Sequence, residues 1–188
     1  IIRTKNEERW ITSCLSAVFA QNYKNFEVIL VDNNSSDKTV EKASKFPIKL
    51  VEIQNFIPGE AINKGIRNST GDYIVCLSGH CVPVDETWLE ELIKDLHLPG
   101  IAGIYGRQEP LAYTSDLDKR DLLMTFGLDE RVQVKDSFFH NANSAFSRKI
   151  WDKYPFDETA TNIEDRLWGE KVILNNYKII YKPNASVY

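Results

Sequence analysis

Nowhere do the 188 residues hold an apolar run near the roughly 20 needed to span a bilayer, and no signal peptide is visible. Membrane association is therefore expected only through segments outside this chain. Cysteine is scarce. Cys14, Cys76 and Cys81 are too few, and odd in number, for a disulfide framework. They point to a reducing, cytoplasmic setting, the inner face of the membrane included. Basic runs are also missing. The 23 Lys and Arg are scattered among 27 Asp and Glu, for a net charge of -4, which leaves no electrostatic footprint for nucleic acid. There are no internal repeats and no low-complexity segments. A glycine-rich phosphate loop is absent after the first apolar segment, because Arg3-Thr-Lys-Asn-Glu7 has no glycine; that argues against a nucleotidyltransferase. Gly100-Ile-Ala-Gly103-Ile-Tyr-Gly106 lacks the Gly-x-Gly start of a dinucleotide fingerprint.

What is present fits one compact domain with a substantial core: 43% of the residues are hydrophobic. The chain starts at Ile1, without a methionine and inside an apolar segment, so a piece of a longer protein is expected. Short apolar runs alternate with helical patterns. Ile1-Ile2 reads as the tail of a strand. Trp10, Ile11, Cys14, Leu15, Val18 and Phe19 form a helical stripe. Val28 to Val31 is a β-branched strand, and Asn33 to Asp37 a turn and cap for a helix through about Lys45. Strands follow at Ile48 to Ile53 and Tyr73 to Leu77. Between them lies a helix through Ala61, Ile62, Gly65 and Ile66, and Asp85 can cap a helix with the stripe Trp88, Leu89, Leu92, Ile93 and Leu96. The pattern weakens from Gln108 to Lys135, with a helix at Leu117 to Phe126. Further on, a strand is expected at Phe138 to Phe146, and helices at Arg148 to Tyr154 and from Glu164-Asp165 to about Asn175. The last strand is Tyr177 to Tyr181, stopped by Pro183.

Repeated strand–helix units predict an α/β, mostly parallel sheet flanked by helices, with chemistry beyond the C-terminal strand ends. Three polar segments fall there: Arg3 to Glu7, Asp32 to Ser35, and Ser78-Gly-His-Cys81.

These pieces, in order, resemble the family 2 glycosyltransferases. The matching segments are Ile1-Ile-Arg-Thr-Lys-Asn-Glu7, Glu27-Val-Ile-Leu-Val-Asp-Asn-Asn-Ser-Ser-Asp-Lys-Thr39, Ala61 to Ile74, Phe156-Asp-Glu158 with Glu164-Asp165, and Tyr177 to Tyr188. The resemblance covers nearly the whole chain apart from about residues 108 to 135. It implies the Rossmann-like GT-A fold as a single domain over 1–188, with a nucleotide-sugar-binding half (1–107) and an acceptor-side half (108–188). It implies transfer of a sugar, with inversion, from a UDP- or dTDP-sugar to a hydroxyl of a glycan or lipid-linked saccharide. The competing class is an inactive nucleotide-sugar-binding domain.

Residue by residue, the resemblance assigns Asp32 to the pyrimidine edge, with Thr4, Asn6, Glu7 and Asn34 in the same pocket. The plain alternatives are a turn-forming Asp32 and a first-turn helix acid at Glu7. Lys64 and Arg67 lie on a helix where they would either neutralise phosphate or face solvent. Where the family places Asp-x-Asp, whose carboxylates hold a divalent cation on the diphosphate, this chain has Ser78-Gly79-His80. Three readings stay open. His80 ligates manganese or magnesium; His80 meets the diphosphate directly; or the site is degenerate. Gly79 suits a backbone close to phosphate in all three. A zinc site from Cys76, His80 and Cys81 is rejected, since Cys76 lies mid-strand and no fourth ligand has the right spacing. By resemblance Asp165 is the base that takes the acceptor proton and Glu164 its neighbour, the alternative being two acids stabilised at a helix N-terminus. Trp168 either packs in the core or walls the acceptor site. Asn141 and Asn143 are candidate sugar contacts.

Overall fold

The computed structural model describes residues 1–188. One eight-stranded mixed sheet runs through it in the order β3-β2-β1-β4-β7-β5-β8-β6. Its first half is β1 (Ile2–Thr4), β2 (Ile29–Asp32), β3 (Lys49–Glu52) and β4 (Tyr73–Ser78), all mutually parallel. α1 (Ile11–Phe19), α2 (Thr39–Ala43) and α3 (Pro58–Arg67) make the crossovers. The second half is β5 (Ile101–Gln108), β6 (Arg131–Gln133), β7 (Asn143–Ser147) and β8 (Lys178–Val187). β7 is antiparallel to β4 and β5, β8 parallel to β5, and β6 antiparallel to β8. α4 (Trp88–Ile93), α5 (Asp116–Phe126), α6 (Arg148–Lys153) and α7 (Glu164–Leu174) complete the chain.

The burial of β2 at every position explains its unbroken Ile-Leu-Val run, since a central parallel strand is covered on both faces. Leu30, Ile2 and Leu77 pack against Ile11, Cys14 and Leu15 of α1 and Trp88 and Leu92 of α4. On the other face, Ile62 and Ile66 of α3 join Ile74, Cys76, Phe146 and Trp168. Trp168 is therefore a core residue, 2% exposed. No helix is long and apolar enough to cross a membrane.

Two sequence expectations need correction, and one strand was not foreseen. Phe138 to Phe146 is not one strand. Only Asn143–Ser147 pairs; Phe139 turns into the aromatic core beside Trp168, and a turn closes from the Asn143 N–H to the His140 carbonyl. Pro183 does not stop the last strand, which runs to Val187. The proline falls where the β5–β8 register shifts, between the pairs Gly106–Lys182 and Gln108–Val187, and a residue without an N–H is tolerated in such an irregularity. Finally, Ile101–Gln108 is a strand although three glycines bound or interrupt it. Gly106 leaves room for the Ala185 carbonyl, which a Cβ would meet at 1.9 Å.

Candidate active site

The last residues of β1, β2 and β4 lie side by side: Thr4 is opposite Asp32 and Arg3 opposite Ser78. Because side chains alternate along a strand, β1 sends Thr4 and Arg3 to different groups of neighbours. Thr4 donates to Asp32 Oδ1 at 2.9 Å. Ser35 donates its hydroxyl to Oδ1 at 2.6 Å and its N–H to Oδ2 at 2.8 Å. Asp32 is thus a buried turn acceptor whatever else it does. Asn6 and Asn34 are left-handed, with φ of 55° and 50°. That conformation lets Asn6 donate its N–H to Ser35 Oγ at 2.9 Å and accept from the Ser36 N–H at 2.8 Å, tying the β1–α1 and β2–α2 turns together. Asn33 Oδ1 is buried here without a partner. Lys64 does not join this cluster. It reaches the end of β3 and donates to the Glu52 carbonyl at 2.9 Å, while Arg67 pairs with Glu158.

Glu7 is fixed twice through its backbone. Its N–H donates to Thr39 Oγ1 at 2.7 Å, and its carbonyl accepts the Trp10 and Ile11 N–H groups that open α1. Its carboxylate meets His80 Nδ1 at 2.8 Å. Gly79 makes that approach feasible: its N–H donates to the Arg3 carbonyl, and a Cβ there would lie 2.5 Å from Thr4 Cγ2 and 3.4 Å from Glu7 Cγ. Gly79→Ala is accordingly expected to cost about 1–3 kcal/mol, the usual cost of overpacking, and to displace Thr4 from Asp32. Denaturant unfolding together with nucleotide titration measures both effects.

Arg3 builds the second group. Its Nη1 pairs with Glu164 Oε1 at 3.3 Å and its Nη2 donates to the Asn141 carbonyl at 3.2 Å. Asn141 Nδ2 also donates to Glu164, at 3.4 Å. Glu164 is buried by these contacts and turned away from solvent, whereas Asp165 is half-buried and accepts the Asn141 N–H at 3.4 Å. Beside them, burial holds His140 below the ordinary imidazole range, against the opposing pull of Asp165. Asn143 does not face a sugar. It accepts from Trp88 Nε1 and donates to the Ala185 and Arg107 carbonyls, a wholly internal role. Sequence reasoning gave Ser35 only a turn role and assigned no individual part to Arg3 or His140. For Arg3 the signal was there, a charge directly after Ile1-Ile2 in a strand that must be buried.

No three His, Cys, Asp or Glu side chains converge on a metal position. The cysteines are buried, and burial pushes the Cys81 thiol up to about 12 and raises Cys14 and Cys76 as well, so they are poor thiolate ligands.

The profile of glycosyl transferase family 2 matches residues 1–154. A similar curated protein is the Methanococcus voltae dolichyl N-acetyl-α-D-glucosaminyl phosphate 3-β-D-2,3-diacetamido-2,3-dideoxy-β-D-glucuronosyltransferase, 32% identical over 123 residues, 57% of this chain and 38% of that protein. Among solved structures, the Pyrobaculum calidifontis mannosyltransferase PcManGT with GDP-Man and Mn2+ superposes with a TM-score of 0.80 at 21% identity, over 99% of this chain and 54% of that one. Staphylococcus aureus TarS with UDP does so with a TM-score of 0.78 at 17% identity, over 100% and 58%. The fold is therefore the one the resemblance implied, and the chain spans about half the length of the two solved chains and less of the curated relative.

Proposed function

The chain belongs to glycosyl transferase family 2, and from that premise we propose that it transfers a sugar from a nucleotide-diphosphate donor to a hydroxyl of a glycan or lipid-linked saccharide, with inversion. The observation that carries this reading is the Arg3–Glu164 pair. It joins the N-terminus of α7 to β1, the strand whose end also carries Thr4 and through it Asp32, and this supports Asp165, the next residue of α7, as the acceptor-side base. The nucleotide lies over the Thr4–Asp32–Asn6 turn, with Asp32 at the base edge. The diphosphate lies over Ser78-Gly79-His80. Asp165 takes the proton of the acceptor hydroxyl. The acceptor oxygen bonds to the anomeric carbon as the bond from that carbon to the diphosphate oxygen breaks, and the nucleoside diphosphate leaves with the electron pair. One displacement inverts the anomeric centre. Glu164, held by Arg3 and Asn141, positions Asp165 rather than reacting. The named relative and structures support nucleotide sugars as donors and lipid-linked or glycan acceptors.

The test is calorimetric titration with UDP, TDP and GDP, followed by release of nucleoside diphosphate from the matching sugar donor in the presence of lipid-linked saccharide acceptors. Binding with acceptor-dependent release is expected. Binding without release under any acceptor would make the domain a nucleotide-sugar receptor, and no binding at all would overturn the reading.

A further inference from the structure

The divalent cation implied by the fold family does not fit the residues at the end of β4. A hard cation on a diphosphate takes oxygen ligands, carboxylates above all. Ser78-Gly79-His80 offers a hydroxyl, a glycine and an imidazole. Glu7 is the carboxylate at hand, and it is committed to the His80 ring. The pair stands at the wall of an open cavity of about 620 Å³ that also includes Trp10, Gln108 and Tyr188.

We propose that the Glu7–His80 pair replaces the metal: His80, clamped by Glu7, holds the donor diphosphate directly, and donor binding needs no divalent cation. This rests on the donor-site reading above. The chemistry follows from which atoms are acceptors. An ionised Glu7 only accepts, so the His80 Nδ1 facing it at 2.8 Å carries the proton of that bond. Nε2 has no protein partner, and the ring is half exposed. A phosphate oxygen arriving there also only accepts. A ring between two such acceptors donates from both nitrogens, as an imidazolium, and supplies part of the positive charge that a cation would bring. Glu7 is the positioning residue. Its backbone is pinned by Thr39 and by the start of α1, so it holds the ring through Nδ1 and leaves Nε2 without a protein partner. Gly79 keeps the backbone low enough for this pairing.

The experiment is calorimetric titration of UDP and GDP into the wild-type chain, His80→Ala, His80→Lys and Glu7→Gln, each with manganese and with EDTA. The wild-type Kd is expected to agree within about twofold in the two buffers. His80→Ala should weaken binding about tenfold or more in both, the size of one charge-assisted hydrogen bond. His80→Lys, a cation that does not ligate metal as an ammonium, should recover most of the loss in EDTA. Glu7→Gln should fall between wild type and His80→Ala. A wild-type Kd that rises tenfold or more on chelation, with His80→Lys as weak as His80→Ala, would overturn the proposal while leaving the donor site standing. If no nucleotide binds wild type in either buffer, the donor-site reading fails and takes this one with it.

Discussion

Asp165→Asn is expected to lower sugar transfer by about 10²- to 10⁴-fold, the usual contribution of a positioned general base, while nucleotide binding stays within about twofold of wild type. The separation follows from the architecture. The turn proposed to hold the nucleotide is built by β1 and β2 through Thr4, Asp32, Asn6 and Ser35, none of which bonds to Asp165. Asp165 comes from α7, more than 130 residues later, and its Oδ2 contact is the Asn141 N–H. An asparagine keeps the side-chain volume and one oxygen, for either that N–H or the Arg166 N–H that Oδ1 accepts at 2.8 Å, so only a small change in stability is expected. What it removes is the capacity to take a proton. Acceptor-dependent release of nucleoside diphosphate, measured beside donor titration, reads the two effects separately. If the variant keeps more than a tenth of the activity, the proton goes elsewhere. His140, held below the ordinary imidazole range by its burial, is then the group to change next.

Glu164→Gln tells the neighbouring acid apart from Asp165. Glu164 is 5% exposed and paired with a guanidinium that is itself mostly buried. Removing its charge strands Arg3, whose Nε already lacks a partner. Its effect is expected in stability and in activity together, unlike that of Asp165→Asn. Adjacent acids at a helix start look equivalent in sequence. The helix turns one of them into the protein and leaves the other half open, and only the packing of α7 against β1 decides which.

The legible part of this protein was the part governed by local rules. Val28 to Val31 is apolar because a central parallel strand is covered on both sides, and the asparagines and serines after Asp32 are turn residues. The parallel half of the sheet and the polar ends of β1, β2 and β4 could therefore be placed from the chain alone. The second half was obscured because long-range contacts set it. Gly103 and Gly106 hide the strand pattern of β5, and they are small because Phe139, Trp168 and the Ala185 carbonyl press on the strand. Phe138-Phe139 looks like a strand, but it is an aromatic plug beneath α7. Asn143 looks like a sugar contact; it is spent on Trp88 and two carbonyls contributed by β5 and β8. Lys64 sits on the expected helix, yet its reach carries it to Glu52, one strand beyond Asp32. In each case the residue type was informative and its partner was not, because the partner lies on another element of the chain.

Trp168→Ala should produce the largest loss of stability of any single truncation considered, about 3–5 kcal/mol by the cost of emptying a buried aromatic site. A domain of this kind has only about 5–15 kcal/mol in total, and for this chain length the loss corresponds to a fall in Tm of about 6–20 °C. The indole is ringed by Phe139 at 4.6 Å, Phe146 at 5.4 Å and Phe156 at 5.6 Å between centroids. Its Nε1 donates to the Tyr154 carbonyl at 2.9 Å. Truncation removes the aromatic contacts and leaves that carbonyl unpaired, and the aromatic neighbours are too rigid to refill the space. Trp168→Phe keeps a ring and loses the hydrogen bond, so about 1–3 kcal/mol is expected from it. Denaturant unfolding of both variants decides the matter. A change below about 1 kcal/mol for Trp168→Ala would mean that the side chain walls the acceptor site instead of anchoring the core. The large loss would mean more than a weakened core. Trp168 stands one turn after Glu164 and Asp165, so the packing that fixes the indole also fixes the helix end from which Asp165 is proposed to work. At permissive temperature the alanine variant should then lose acceptor-dependent turnover while its nucleotide titration, read at β1 and β2, stays close to wild type.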